Sequence, residues 1–144
     1  MNSIVLRYFN AYGPPVNKRV IYDIYKKLKD NPNEIRIFGT GKEQKDYTFN
    51  QDIVTATLLV SKLNGFDTFN VGTGKGTTVI DIINILSHEL QVNPKIITEN
   101  TPIKGDIQKL IADISKIKNK LGWEPRTSLI AGIKKTVEWY RTLE

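Results

Sequence analysis

Apolar positions along the chain change period several times, and the changes mark the elements. SIVLRYFN (residues 3–10) is β-branched and aromatic, which predicts a strand, ended by the turn chemistry of Gly13-Pro14-Pro15. Over residues 19–30 the period becomes 3.6: Val20, Ile21, Ile24 and Leu28 share one face of an amphipathic helix, stopped by Asn31-Pro32. IRIF and KDYTF read as short strands with Gly39 and Gly41 between them. A second helix is predicted over 51–63, with Asp52 as its cap and Asn64-Gly65 at its end. DTFNV is a strand, followed by glycines and a helix over about 78–90. There Val79, Ile82, Ile83, Leu86 and Leu90 keep the helical period, and Thr78 and Asp81 have capping-box spacing. KIITE is a further strand. Helices are predicted over 113–121, closed by Gly122, and over 128–143, where Leu129, Ile133, Val137 and Tyr140 line up. Alternating strands and helices define an α/β fold.

Composition narrows the function. With 144 residues the chain is expected to be one domain, 1–144. Without cysteine there is no disulfide, thiolate metal site or cysteine nucleophile, and His88 is the only histidine. No apolar run approaches the roughly 20 residues of a membrane span, and MNSIVLRYF lacks a cationic leader, so a cytoplasmic protein is expected. The net charge of +6 suits polyanions. Its densest run, YKKLKD, falls on the first helix and reads as a solvated face, so nucleic acid is not an expected partner.

Two short motifs suggest chemistry. Gly72–Gly76 (GTGKG) follows a strand and opens a helix, as a phosphate cradle would. Its glycine spacing fits neither the dinucleotide fingerprint nor the Walker pattern, so a tight strand–turn–helix connection is the expected reading. Tyr22-x-x-x-Lys26 and Tyr25-x-x-x-Lys29 could each pair a phenol with an ammonium that lowers its pKa. On a helix this rich in both residue types, chance spacing explains them.

Longer segments are more specific. LRYFNAYGP, IFGTGKEQKDYTFNQD, FNVGTG and KGDIQKLIADISKIKNKLGWEPRTSLIAGIKKTVEWY occur in that order. Together they resemble the C-terminal part of the extended short-chain dehydrogenase/reductases, the NAD-dependent nucleotide-sugar epimerases and dehydratases. The likeness is greatest to the UDP-glucose 4-epimerase group. It covers nearly the whole chain and implies a substrate-binding part of a Rossmann-type epimerase. Two strands, Ile4–Phe9 and Thr68–Val71, would complete a dinucleotide-domain sheet. The family's glycine-rich NAD loop and catalytic Tyr-x-x-x-Lys precede the R-Y-F-N strand, so neither match on the first helix is the catalytic pair. The FNVGTG segment is a late strand and turn.

The resemblance also implies a site. Phe9 would lie against the nicotinamide end of NAD, and Asn10 would hydrogen-bond the substrate diphosphate. Val20 and Ile21 would contact the nucleotide partly through backbone, Phe38 would line the uracil pocket, and Asp106 would hold the ribose. For Phe38, an ordinary core aromatic is the competing reading. Lys45 stands where the family usually has a diphosphate-gripping arginine, and keeps the charge without the planar fork. Ile103 replaces another frequent arginine, for which Lys104 compensates in part, and Gln51 replaces a frequent aspartate. The chain alone is expected to be inactive as an isomerase, with NAD a cofactor of the complete enzyme only. UDP-sugar, a separate N-terminal NAD-binding half and a second copy meeting at an exposed sheet edge are the expected partners. The alternative is a remnant or interaction domain of the same fold that has lost nucleotide binding.

Overall fold

The computed structural model describes residues 3–99, 101, 105 and 107–143. Strand β1 (Ser3–Tyr8) pairs in parallel with β6 (Phe66–Val71), with Ser3 opposite Phe66 and Tyr8 opposite Val71. The two strands predicted to belong to one sheet are therefore direct neighbours. Helices α2 (Asn50–Val60) and α4 (Ser115–Leu121) pack with them. Ala56 and Val60 of α2, Phe69 and Val71 of β6, Ile117 of α4 and Trp123 make one buried cluster. Lys116 and Lys120 both reach Asp67, tying α4 to β6. The opposite face of the pair is open: Val5 is 49% exposed and Phe66 75%. Parallel strands are ordinarily covered on both faces, so this sheet carries half its usual packing.

A second, larger cluster is enclosed by the chain's own helices. It joins α1 (Arg19–Asp30) through Ile24, Tyr25 and Leu28, α3 (Val79–Leu90) through Ile82 and Leu86, and α5 (Leu129–Arg141) through Ile133 and Val137. The parallel pair β3 (Glu34–Ile37) and β8 (Lys95–Thr98) adds Ile35. The helical period dictates these contacts, and local caps fix the ends, the Thr78–Asp81 box and Gly122 as predicted. Thr78 and Asp81 form a reciprocal capping box, the Ser128 hydroxyl accepts from Ala131 N–H, and Gly122 ends α4 in the left-handed region. The rings of Tyr22 and Tyr25 pack on Tyr140, Tyr25 within the core and Tyr22 partly buried against it.

Short strands connect the two clusters. The segment predicted as one strand, KDYTF, divides into β4 (Gln44–Lys45) and β5 (Thr48–Phe49). β2 (Ala11–Tyr12) pairs in parallel with β5. β4 lies between β7 (Thr77–Thr78), antiparallel, and β9 (Lys109–Leu110), parallel. Tyr12 then packs edge-on against Phe49 and donates to Leu129 O at 3.5 Å. The fit there is close: any Cβ at Gly132 would stand 2.1 Å from the Tyr12 hydroxyl oxygen.

One prediction is corrected here. Asp52 does not cap α2; the helix begins after Phe49 without a side-chain cap. The buried Asp52 carboxylate instead accepts from Arg126 N–H at 3.2 Å and Thr127 N–H at 3.0 Å. A first-turn acid still favours the helix dipole, but its oxygens satisfy a distant loop. Its charge and, above all, burial push the Tyr12 phenol well above its ordinary range.

Candidate functional site

The turn after β6 is the part of the chain most like a phosphate cradle. Gly74 has φ +72°, a backbone state that costs a residue with a Cβ. At Gly72 a Cβ would come within 2.3 Å of the Ala112 Cβ, so glycine is required by close approach. The turn gathers N–H groups as an anion nest does, and the anion is the protein's own. Asp46, fully buried, accepts from Thr73 N–H at 2.9 and 3.0 Å, from Gly74 N–H at 2.8 Å and from Ala112 N–H at 3.2 Å. The Thr73 hydroxyl adds a bond of 2.6 Å. The carboxylate fills the nest, so these residues do not fit a cofactor pyrophosphate.

Asp46 also organises what lies beside it. Its backbone carbonyl accepts from Asn10 Nδ2 at 2.9 Å, which fixes the amide that follows β1. Its neighbour Lys45 donates through Nζ to Ile107 O at 2.6 Å. Asn10, which follows β1, is thus set beside the strand that carries Lys45, the other residue expected to face a diphosphate. Phe9 continues β1 by donating its N–H to Val71 O at 3.1 Å. Asp106, Lys104 and Ile103 lie outside the described residues.

Phe38 is not a core aromatic. It leaves β3 pointing outward, 69% exposed, with cavities of about 240 Å³ and about 170 Å³ on either side. Val20 lines the larger one together with Phe38, whereas the side chain of Ile21 is buried in the core. Lys27 lines both cavities; its ammonium stands 5.8 Å from the Phe38 ring centre and donates to Arg36 O at 2.9 Å. A flat exposed ring with a fixed ammonium beside it can stack a planar base and donate to an acceptor on its edge.

Sequence reasoning assigned no role to Asp46 or Lys27. Asp46 sits inside the K-D-Y segment used for the likeness, but its partners are 27 and 66 positions away. Among the described residues no group of histidines and carboxylates could hold a metal, and no helix is long and apolar enough to cross a membrane.

Parallel strands with flanking helices define an α/β fold of Rossmann type. Comparison with known proteins specifies the family: residues 1–136 match the family model described as GDP-mannose 4,6 dehydratase, and the chain belongs to that epimerase/dehydratase family of extended short-chain dehydrogenase/reductases. A UDP-glucuronate 4-epimerase of Thermodesulfobacterium geofontis is 36% identical over 136 residues, covering 94% of this chain and 42% of the relative. A UDP-glucose 4-epimerase of Mycolicibacterium smegmatis is 30% identical over 92% of this chain and 43% of its own. Among solved structures, the Thermotoga maritima UDP-glucose 4-epimerase with UDP-glucose superposes with a TM-score of 0.87 at 38% identity. That match covers 100% of this chain and 48% of the other. MoeE5 in complex with UDP-glucuronic acid and NAD gives 0.85 at 26% identity, over 98% and 48%. The chain spans about half the length of the relatives it matches.

Proposed function

We propose that this chain is the nucleotide-gripping part of an NAD-dependent UDP-sugar 4-epimerase. The complete enzyme inverts C4 of the hexose through a 4-keto sugar, with NAD as the hydride carrier. The observation that carries the reading is the link from Asn10 to Asp46 O, which sets Asn10 beside the Lys45 strand at the end of β1. Both side chains can then meet one diphosphate, Asn10 as a neutral donor and Lys45 as a charge. Phe38 supplies a surface for uracil, Val20 and the start of α1 bound the same cavity, and Asp106 takes the ribose hydroxyls. Phe9, following β1, faces the nicotinamide.

Neither a dinucleotide cradle nor a catalytic base is supplied here, so the isolated chain does not interconvert UDP-glucose and UDP-galactose. The open face of β1 and β6 is where an NAD-binding half packs, and without it that face drives self-association. Titration of labelled protein with UDP, UDP-glucose, dTDP and GDP tests the reading. Saturable amide shifts at Asn10, Phe38 and Lys45 with the uridine ligands are expected. A folded spectrum that responds to no nucleotide, even with a matching N-terminal half added, overturns it. One observation favours a second reading, a domain that has lost the ligand: the Lys45 ammonium is already engaged by Ile107 O.

A further inference from the structure

A groove lined by none of the residues assigned to the nucleotide has the properties of a binding site. Its main hollow, about 500 Å³, lies between α3, the turn after β6 and the segment that leads into α5. Lys75 and Arg126 line it from opposite strands of chain, with the hydroxyl residues Thr77 and Thr127 nearby. Neither cation has an ion pair or a side-chain hydrogen bond among the described residues. No carboxylate lines the hollow. The two buried acids behind its walls, Asp46 and Asp52, turn to backbone amides of the very segments that carry Lys75 and Arg126. Those clasps fix the walls and leave both cations uncompensated.

Isoleucines supply an apolar stretch on the other side of the groove. Ile85 and Ile130 line the main hollow and also a second one of about 320 Å³, so the two are neighbours beside α3 and α5. Ile130 is 68% exposed, although Leu129 and Ile133 beside it are packed. The second hollow ends at His88, Glu89 and Lys134. None of Phe9, Asn10, Val20, Phe38 or Lys45 lines either hollow, and β1 and β6 contribute nothing to them.

We propose that this groove binds a phosphomonoester of an apolar alcohol, with the phosphate on Lys75 and Arg126 and the hydrocarbon over Ile85 and Ile130. Two cations lining one hollow that no carboxylate lines suit a dianion, since each bond is charge-assisted and the oxygens left over can accept from threonine hydroxyls. The apolar floor supplies affinity that a bare ion would not gain.

Calorimetry with decyl phosphate below its micelle-forming concentration tests this. Saturable one-to-one binding is expected, about fourfold weaker for each methylene removed from the buried part of the tail. Lys75→Ala with Arg126→Ala weakens it at least tenfold, Ile130→Ser weakens it severalfold, and Lys45→Ala and Phe66→Ser leave it unchanged. Lys75, Arg126, Ile130 and Phe66 are exposed and Lys45 is half-buried, and an unchanged amide spectrum elsewhere shows that the variants fold. Absence of binding, equal binding of inorganic phosphate, equal binding of decanol, or loss of binding in Lys45→Ala or Phe66→Ser would each overturn the proposal. Uridine nucleotide titration of the same variants reads the nucleotide site separately, so failure of one reading leaves the other standing.

Discussion

The two apolar clusters are built from similar residues and differ in how completely the chain covers them. Around α1, α3 and α5 the helices meet one another, and Tyr25, Leu28, Ile82, Leu86, Ile133 and Val137 are at most 1% exposed. Beneath β1 and β6 the inner face is equally dry, with Phe69, Val71 and Ile117 at 0%, but the outer face of the same two strands meets solvent. One region is finished by its own sequence. The other is finished on one side only. The relatives, about twice as long, have the extra chain with which such a sheet could be closed.

The seam between the regions should be the most sensitive place. Asp46 bridges β4, the turn after β6 and Ala112, and Asp46→Ala would leave the N–H groups of Thr73, Gly74 and Ala112 without their acceptor, at about 1–3 kcal/mol for the buried Ala112 amide and less for the two nearer solvent. Chemical denaturation should show a loss of several kcal/mol and separate transitions for the two regions. A smaller effect compares the regions directly. Ile133→Ala should cost about 2–5 kcal/mol, whereas Ile117→Ala should fall toward the low end of that range because a one-sided sheet can settle into the void. Equal losses would erase the distinction.

Acid should act on the open region. Hydrogen bonds from Lys116, then Lys120, hold the Asp67 carboxyl well below its ordinary value of 3.8. Its stabilisation is therefore complete above that value and is lost as pH falls below it. Asp67→Asn should reduce the acid slope of stability while leaving neutral-pH unfolding cooperative, as followed by thermal melts from pH 6 to 2. The smallest change in stability belongs to the exposed face. Val5→Ser with Phe66→Ser should shift unfolding by no more than about 0.5 kcal/mol. Sedimentation should nevertheless show weaker self-association; unchanged association would place the contact elsewhere.

How much of this was legible depended on range. Helices α1, α3 and α5 followed from apolar period, and the ends of α3 and α5 from Thr78, Asp81 and Ser128, because those interactions are local. Strands β2, β7 and β9 are two residues each, too short to show any alternation. Asp52 read as a cap from its position, yet its partners are 74 and 75 residues away. Phe38 has the same composition signal whether it is buried or presented, and only its place after β3 shows that it faces outward. The likeness singled out Asn10, Lys45 and Phe38 as candidates, while the grouping of Asn10 with the Lys45 strand depends on a backbone carbonyl that no sequence pattern encodes.

The carboxylate of Asp46 gives the glycine turn a resident guest. A cradle of this kind is competent for anions and closed to them at once, and what closes it is a single side chain. Removing that side chain would turn a structural clasp into a vacant receptor, so small carboxylates such as formate, added to Asp46→Ala, should restore part of the lost stability. A new anion site at such a turn requires no new architecture, only the eviction of its occupant.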